Sequence, residues 1–299
     1  MLLSLSGRRV YFDLAGPANA PVVCFTHSLN SDGGMWVEQM VPLLAAGYRV
    51  LRLDMRGHGG SEPVPGDYTM DALAAAAGGV TTIIARPDTT PAIDTPETLE
   101  FVTRRATEAP VRIRHMAALT KGRDGREMTE IGFLLDAGAI AFTDAFHVAT
   151  ETKALSRAFT YARSLGALVV GHPQEPGLSK GAAATSGKFS SLRGLPGVSP
   201  MAERMGLERD LALVEMTGVR YHADQITTAR SLPALERAKA AGLDVTAGTS
   251  IHHLTLNEID VGDYRTFFKF TPPLRSEEDR LAMVEAVSTG LIDVISSMH

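Results

Sequence analysis

The sequence has little that would mark a special environment. Cys24 is the only cysteine among 299 residues, so no disulfide closes within the chain and no thiolate metal cluster forms. A reducing, cytoplasmic setting is the expectation. Charge of one sign is missing too. Lys and Arg number 29 against 34 Asp and Glu, a net charge of -5 that offers no footprint for nucleic acid or an anionic membrane. The opening MLLSLSGRRVYFDLAG lacks a long apolar run and carries Arg8, Arg9 and Asp13, so it reads as neither signal peptide nor membrane span. No internal repeat or low-complexity tract stands out, and the small-residue run at 181–186, GAAATS, lacks the spacing of a phosphate-binding loop. What remains is an ordinary composition, 44% hydrophobic and 21% charged, with room for one large α/β domain or two smaller ones.

Short β-branched runs bounded by Gly, Pro or Asp are plentiful. Residues 2–5 and 9–14 flank Ser6-Gly7 and predict a hairpin, and 22–26 and 50–55 read as buried strands. Between them, Met35, Trp36, Met40, Leu43 and Leu44 recur at helical spacing, and Gly47 sits where a helix would be capped. Further strands are predicted at 81–85, 111–119, 139–143, 168–172, 220–226, 244–247 and 294–298, mostly separated by helical patterns. Strands alternating with helices imply a parallel sheet. Counted from Val50 they number eight, as a (β/α)8 barrel of the TIM type requires. An insert at 175–211, rich in Gly, Ser, Ala and Pro, is expected over the barrel mouth.

Two resemblances divide the chain. Residues 21 to about 73, with VVCFTHSLNSD, MW and RLDMRGHGGSEPVPGDYTMDAL, resemble the start of an α/β-hydrolase of the enol-lactonase and esterase kind. The nucleophile of that family sits in a G-x-S-x-G elbow, and no G-x-S-x-G occurs in this chain. His27 and Ser28 fall in the segment that is normally its oxyanion-hole loop. Residues 74 to 299 resemble dihydroorotase, a barrel enzyme of the amidohydrolase superfamily, through AAAGGVTTIIARPDTTPAID, GREMTEIGFLLDAGAIAFTD, HLTLNEIDVGDYRTFFKFTPPLRSEEDRLAMVEAV and GLIDVISSMH. The sequence therefore reads as a hybrid. Residues 1–48 would form a hydrolase-derived segment of hairpin, strand and helix. Residues 49–299 would form the barrel, with residues 49–58 as its first strand. Because the chain ends on the last strand, the helix at 35–46 is expected to replace the missing last barrel helix between strands eight and one. Val22–Thr26 would lie outside, joined to the hairpin.

The dihydroorotase resemblance implies one or two divalent metals, zinc foremost, that polarise a cyclic amide carbonyl and activate water. Its ligands would be two His on strand one, an Asp or modified Lys on strand four, His on strands five and six, and an Asp on strand eight that doubles as base. Here His58, Asp144 and His172 match ligand positions and form the candidate metal set. Arg56 stands where the first His belongs, Gln225 at the strand-six His with His222 three residues earlier, and Met298 at the catalytic Asp. A guanidinium offers no lone pair, and a thioether takes no proton. Asp88 replaces an expected Asn, and no Arg follows His58. His222 and His252 read as structural. These departures predict a dihydroorotase-like scaffold with catalysis impaired or lost, and the resemblance implies a small cyclic amide as its ligand and an aspartate transcarbamoylase-like partner. An esterase or lactonase, or a non-catalytic chimeric barrel, are the alternatives.

Overall fold

The computed structural model describes residues 2–5, 8–26, 33–54, 61, 82–107, 109 and 111–297. It divides into two compact units, residues 1–83 with 107–113 and 299, and residues 84–106 with 114–298.

In the first unit, β1 (Leu2–Leu5) and β2 (Arg8–Ala15) pair antiparallel, as the hairpin reading predicts. β3 (Val22–Thr26) leads through a 3-10 turn, Gly33–Trp36, into helix Val37–Ala45 and then β4 (Arg49–Leu53). Gly47, at φ +83°, lets the chain leave the helix in the left-handed region that side chains avoid. The sheet order is β1-β2-β4-β3, with β4 antiparallel to β2 and parallel to β3. Val50 is wholly buried at its centre, and Phe25 stacks on Trp36 with ring centroids 4.9 Å apart. Ser61 closes the D-x-R-G-H-G-G-S loop at its described ends: its hydroxyl donates to the Asp54 carbonyl at 2.7 Å and accepts from the Tyr11 amide at 2.8 Å.

This pairing corrects one expectation and bears out another. β4 has β2 on one edge and β3 on the other. A strand with both hydrogen-bonding edges occupied has no ladder left to offer, so residues 49–53 do not serve as the first strand of a barrel. Val22–Thr26 is the parallel neighbour of β4 and through it shares one sheet with the hairpin, as expected. Helix Val37–Ala45 packs on β4 and on the turn before it, and nothing supports its substitution for a last barrel helix.

β5 (Thr82–Ala85) and β6 (Arg112–His115), whose second halves belong to the second unit, form a two-stranded sheet. The second unit continues the parallel series through residues 140–143, where Ala117 bridges to Phe142 and Phe142 to Val169. β7 (Leu168–Gly171) follows, then β8 (Ala184–Thr185) and β9 (Gly197–Val198), which pair with each other inside the insert. β10 (Arg220–Ala223), β11 (Val245–Ser250) and β12 (Val294–Ser296) complete a parallel sheet of order β12-β11-β10-β7. Val294–Ser296 thus takes the edge beside β11 that the sequence assigns to the eighth strand. A closed ring is not seen among the described residues. The core lies between these strands and their helices, with Phe142, Phe159, Leu134, Leu207, Leu235 and Met283 fully buried. Each such side chain contributes roughly 1.5–3 kcal/mol.

Helix Met201–Thr217 begins inside the expected insert. Its buried Ala202, Gly206, Leu207, Leu211 and Val214 recur at helical spacing, but small residues dilute that signal in the sequence. Its Glu203 is the hub of a buried knot. The carboxylate accepts from the Thr227 amide at 3.0 Å, the Thr228 amide at 3.2 Å, Ser231 Oγ at 2.8 Å and Arg275 Nη2 at 3.2 Å. Asp279 takes Thr228 Oγ1 and the Ala229 amide, both at 2.8 Å. The loop that follows β10 is thereby tied to two helices.

Candidate functional site

Parallel α/β sheets place chemistry at the C-terminal ends of their strands. In the second unit, Arg86 follows β5, Asp144 and Phe146 follow residues 140–143, His172 follows β7, and Asp224 and Gln225 follow β10. Two of these turns are strained. Ala145 has φ +54° and Gln225 φ +61°, conformations uncommon outside glycine.

Asp144 is buried, and its carboxylate is engaged: Oδ1 accepts from the Thr120 amide at 2.9 Å and Oδ2 from Thr120 Oγ1 at 2.7 Å. Burial raises its pKa, and the Thr120 hydrogen bonds oppose the rise. His172 is buried too, with its ring edge-on to Phe146 at 5.4 Å and no partner for Nδ1 among the described residues. Desolvation first, then the nearby Arg86 and Arg275 charges, lower its pKa to about 3, so the imidazole is neutral at physiological pH. Asp144 and His172 line one cavity of about 30 Å3, room for a water molecule.

The rest of the cluster centres on Arg86. Its guanidinium is ion-paired with Asp224 and lies over the Phe146 ring, 4.7 Å from the centroid. Asp224 Oδ1 accepts from Gln225 Nε2 at 3.2 Å, and the same amide donates to Ser296 Oγ at 2.9 Å. Gln225 Oε1 is buried with no partner among the described residues. His222 points a ring nitrogen at Thr246 Oγ1, 2.8 Å away, and His252 stacks on Phe270 at 4.6 Å.

Of the candidate metal set, Asp144 and His172 come together and His58 lies outside the described residues, as do Arg56, Met298, His27 and Ser28. Arg86, Asp224, Phe146 and Thr120 were not singled out from the sequence. For Arg86 a signal existed: a charged residue that ends the apolar strand TIIA where barrel chemistry sits.

The profile of the family described as Dihydro-orotase-like matches residues 49–231, more than half of the chain. This chain belongs to the dihydroorotase-like family. A dihydroorotase-like protein of Pseudomonas putida is 37% identical over 235 residues, 78% of this chain and 55% of the relative. A dihydroorotase of Bacillus licheniformis is 39% identical over 229 residues, 76% of this chain and 54% of the relative. The chain therefore spans about half the length of these curated relatives. Among solved structures, an L-hydantoinase (dihydropyrimidinase) from Arthrobacter aurescens superposes with a TM-score of 0.67 at 24% identity, covering 78% of this chain and 53% of that one. A dihydropyrimidinase from Brevibacillus agri gives 0.62 at 16% identity over 96% of this chain and 58% of that one. At such identities the likeness speaks for an amidohydrolase-type α/β fold. The family match begins at residue 49, inside the stretch that resembles an α/β-hydrolase, so residues 49–73 lie within the dihydroorotase-like span.

Among the described residues, the donor set of this dihydroorotase-like chain does not fit a metal. No group of three or more His, Cys, Asp or Glu among the described residues is arranged to hold one. Asp144 is held by Thr120, Asp224 is neutralised by Arg86, and Gln225 offers an amide where the resemblance calls for an imidazole. No helix of the described residues is long and apolar enough to cross a membrane.

Proposed function

We propose that this chain is a dihydroorotase-like scaffold that holds a small cyclic amide, or the space for one, without the metal-assisted hydrolysis that its resemblance implies. One observation carries the reading: the Arg86–Asp224 ion pair, braced by Gln225, stands at the strand ends where metal ligands would gather. A hydrolytic site of this kind needs deprotonated lone pairs converging on one ion. The His58, Asp144 and His172 set remains the candidate for any residual zinc. An aspartate transcarbamoylase-like partner accords with a barrel kept for contact rather than turnover. The first unit we read as an α/β-hydrolase-like addition. In support of this, the parallel pair β3–β4, bridged by a helix and flanked by β2 and β1, is a sheet complete without the second unit. The esterase alternative has no nucleophile elbow to use.

The test is elemental analysis of the purified protein together with a dihydroorotate turnover assay. The expected result is zinc well below one equivalent and no turnover above background. Stoichiometric zinc with turnover would overturn the reading. Hydrolysis of a nitrophenyl ester that a fluorophosphonate abolishes would move it to the esterase class.

A further inference from the structure

Resting on that reading, we propose that Arg86 is the resident cation of the strand-end cluster: its guanidinium takes the place among His172, Asp224 and Gln225 that a divalent ion would need, and keeps such an ion out. Two contacts hold it there. The edge of the guanidinium donates to Asp224, and its face lies 4.7 Å from the Phe146 centroid. Phe146 in turn meets the His172 ring at 5.4 Å, so the positive charge reaches the strand-five imidazole through one shared aromatic ring. Arg suits this position. It is charged at every accessible pH, and its weakly hydrated plane tolerates a site where the side chain keeps only 24% of its exposure. Having five donors and no lone pair, it satisfies a carboxylate but can never ligate a metal.

Exclusion follows from charge and from occupancy. A divalent ion entering the cluster would meet a fixed positive charge at short range, with little water between them to screen it. It would also find Asp224 already spent, with Oδ2 on Arg86 and Oδ1 on the Gln225 amide, itself tied to Ser296 Oγ at 2.9 Å. The Gln225 substitution alone is therefore not the whole loss. Restoring an imidazole there would still leave the guanidinium in the way.

The experiment titrates zinc into the full-length protein and into Gln225→His, Arg86→Met/Gln225→His and Arg86→Lys/Gln225→His, by calorimetry, after circular dichroism has checked each fold. Methionine keeps much of the stem and removes the charge; lysine keeps the charge. The Met double variant is expected to bind zinc at least tenfold more tightly than Gln225→His, and the Lys double variant no more tightly than Gln225→His. Equal affinity for Gln225→His and the Met double variant overturns the proposal, as does a Lys variant that binds like the Met one. Should the Met variant fail to fold, nitrogen-15 spectra of the unmodified protein decide. The Arg86 Nε resonance must hold its position through excess zinc, and displacement would overturn the proposal. Stoichiometric zinc in the protein as purified sinks both this inference and the functional reading. A zinc-free, inactive protein whose Gln225→His variant binds as well as the double variant sinks this inference alone.

Discussion

Replacing Arg275 with Met tests whether the knot around Glu203 holds the second unit together. Glu203 is fully buried and Arg275 is 2% exposed, so neither charge has water to fall back on. With Arg275 gone, Glu203 keeps its neutral donors, the Thr227 and Thr228 amides and the Ser231 hydroxyl, but loses its counter-charge. Breaking a buried pair on one side costs about 3–5 kcal/mol, because the remaining charge is stranded. Arg275 also donates to Thr227 Oγ1 at 2.9 Å, which adds to the loss. For a folding unit of this size each kcal/mol moves Tm by about 2–4 °C, so a fall of roughly 6–20 °C is expected. Thermal unfolding followed by circular dichroism measures it, and urea unfolding at constant m gives the loss of free energy. Removing both charges with Glu203→Met/Arg275→Met should not restore stability, since two backbone amides and two hydroxyls, those of Thr227 and Ser231, would then lack acceptors at about 1–3 kcal/mol each. A single variant that loses less than about 1 kcal/mol, or a double variant as stable as the parent, would refute the reasoning.

Gly206→Ala should destabilise by about 1–3 kcal/mol despite a better helix propensity, because the new Cβ would lie 2.4 Å from the Gln174 backbone nitrogen. A neutral result in urea unfolding would mean that the chain does not cross the helix so closely. Tyr221→Phe removes a buried hydrogen bond to Asp210 Oδ2 of 2.7 Å, and a loss of about 1.5–3 kcal/mol is expected. Asp210 keeps its Arg209 partner, so a loss beyond about 5 kcal/mol would contradict the account. His253 is held neutral by burial, with its pKa lowered from 6.5 to about 4. The unfolded chain takes up that proton first as pH falls. The stabilisation is therefore complete above pH 6.5 and drains away towards pH 4, by ~3 kcal/mol in all. His253→Leu should flatten the unfolding profile across that window, and an unchanged slope would assign the acid sensitivity elsewhere.

The parallel series was legible because its strands are short apolar runs, several of them bounded by Gly, Pro or Asp. Val294–Ser296 beside β11 follows from that pattern alone. β4 was misassigned for the same reason that the others were right. A strand feeding a loop has one local signature whichever sheet it joins, and only its pairing with β2 and β3 tells the sheets apart. Helix Met201–Thr217 was not foreseen, because Ala202 and Gly206 read as loop composition of the insert until their burial is seen. At the site, Asp144 and His172 were legible because each ends a recognisable strand. Arg86 was hidden because its meaning depends on Asp224, 138 residues away.

That separation would let a fold outlast its chemistry. The side chains that decide metal binding, Arg86, Asp224 and Gln225, touch one another and Ser296, and changes among them need no movement of the strands that carry them. The backbone that presents Gln225 is held from the other side, by Glu203, Arg275 and Asp279 gripping residues 227–231. A chain under no demand to turn over substrate can let the first group drift at little cost. It cannot let the second drift, because a stranded buried charge costs several kcal/mol against a total stability of about 5–15 kcal/mol. The two groups should therefore answer to different measurements: zinc affinity should respond to Arg86 and Gln225 at nearly constant Tm, and Tm to Arg275 and Glu203. If Gln225→His lowers Tm as far as Arg275→Met does, the site and its support form one structure rather than two.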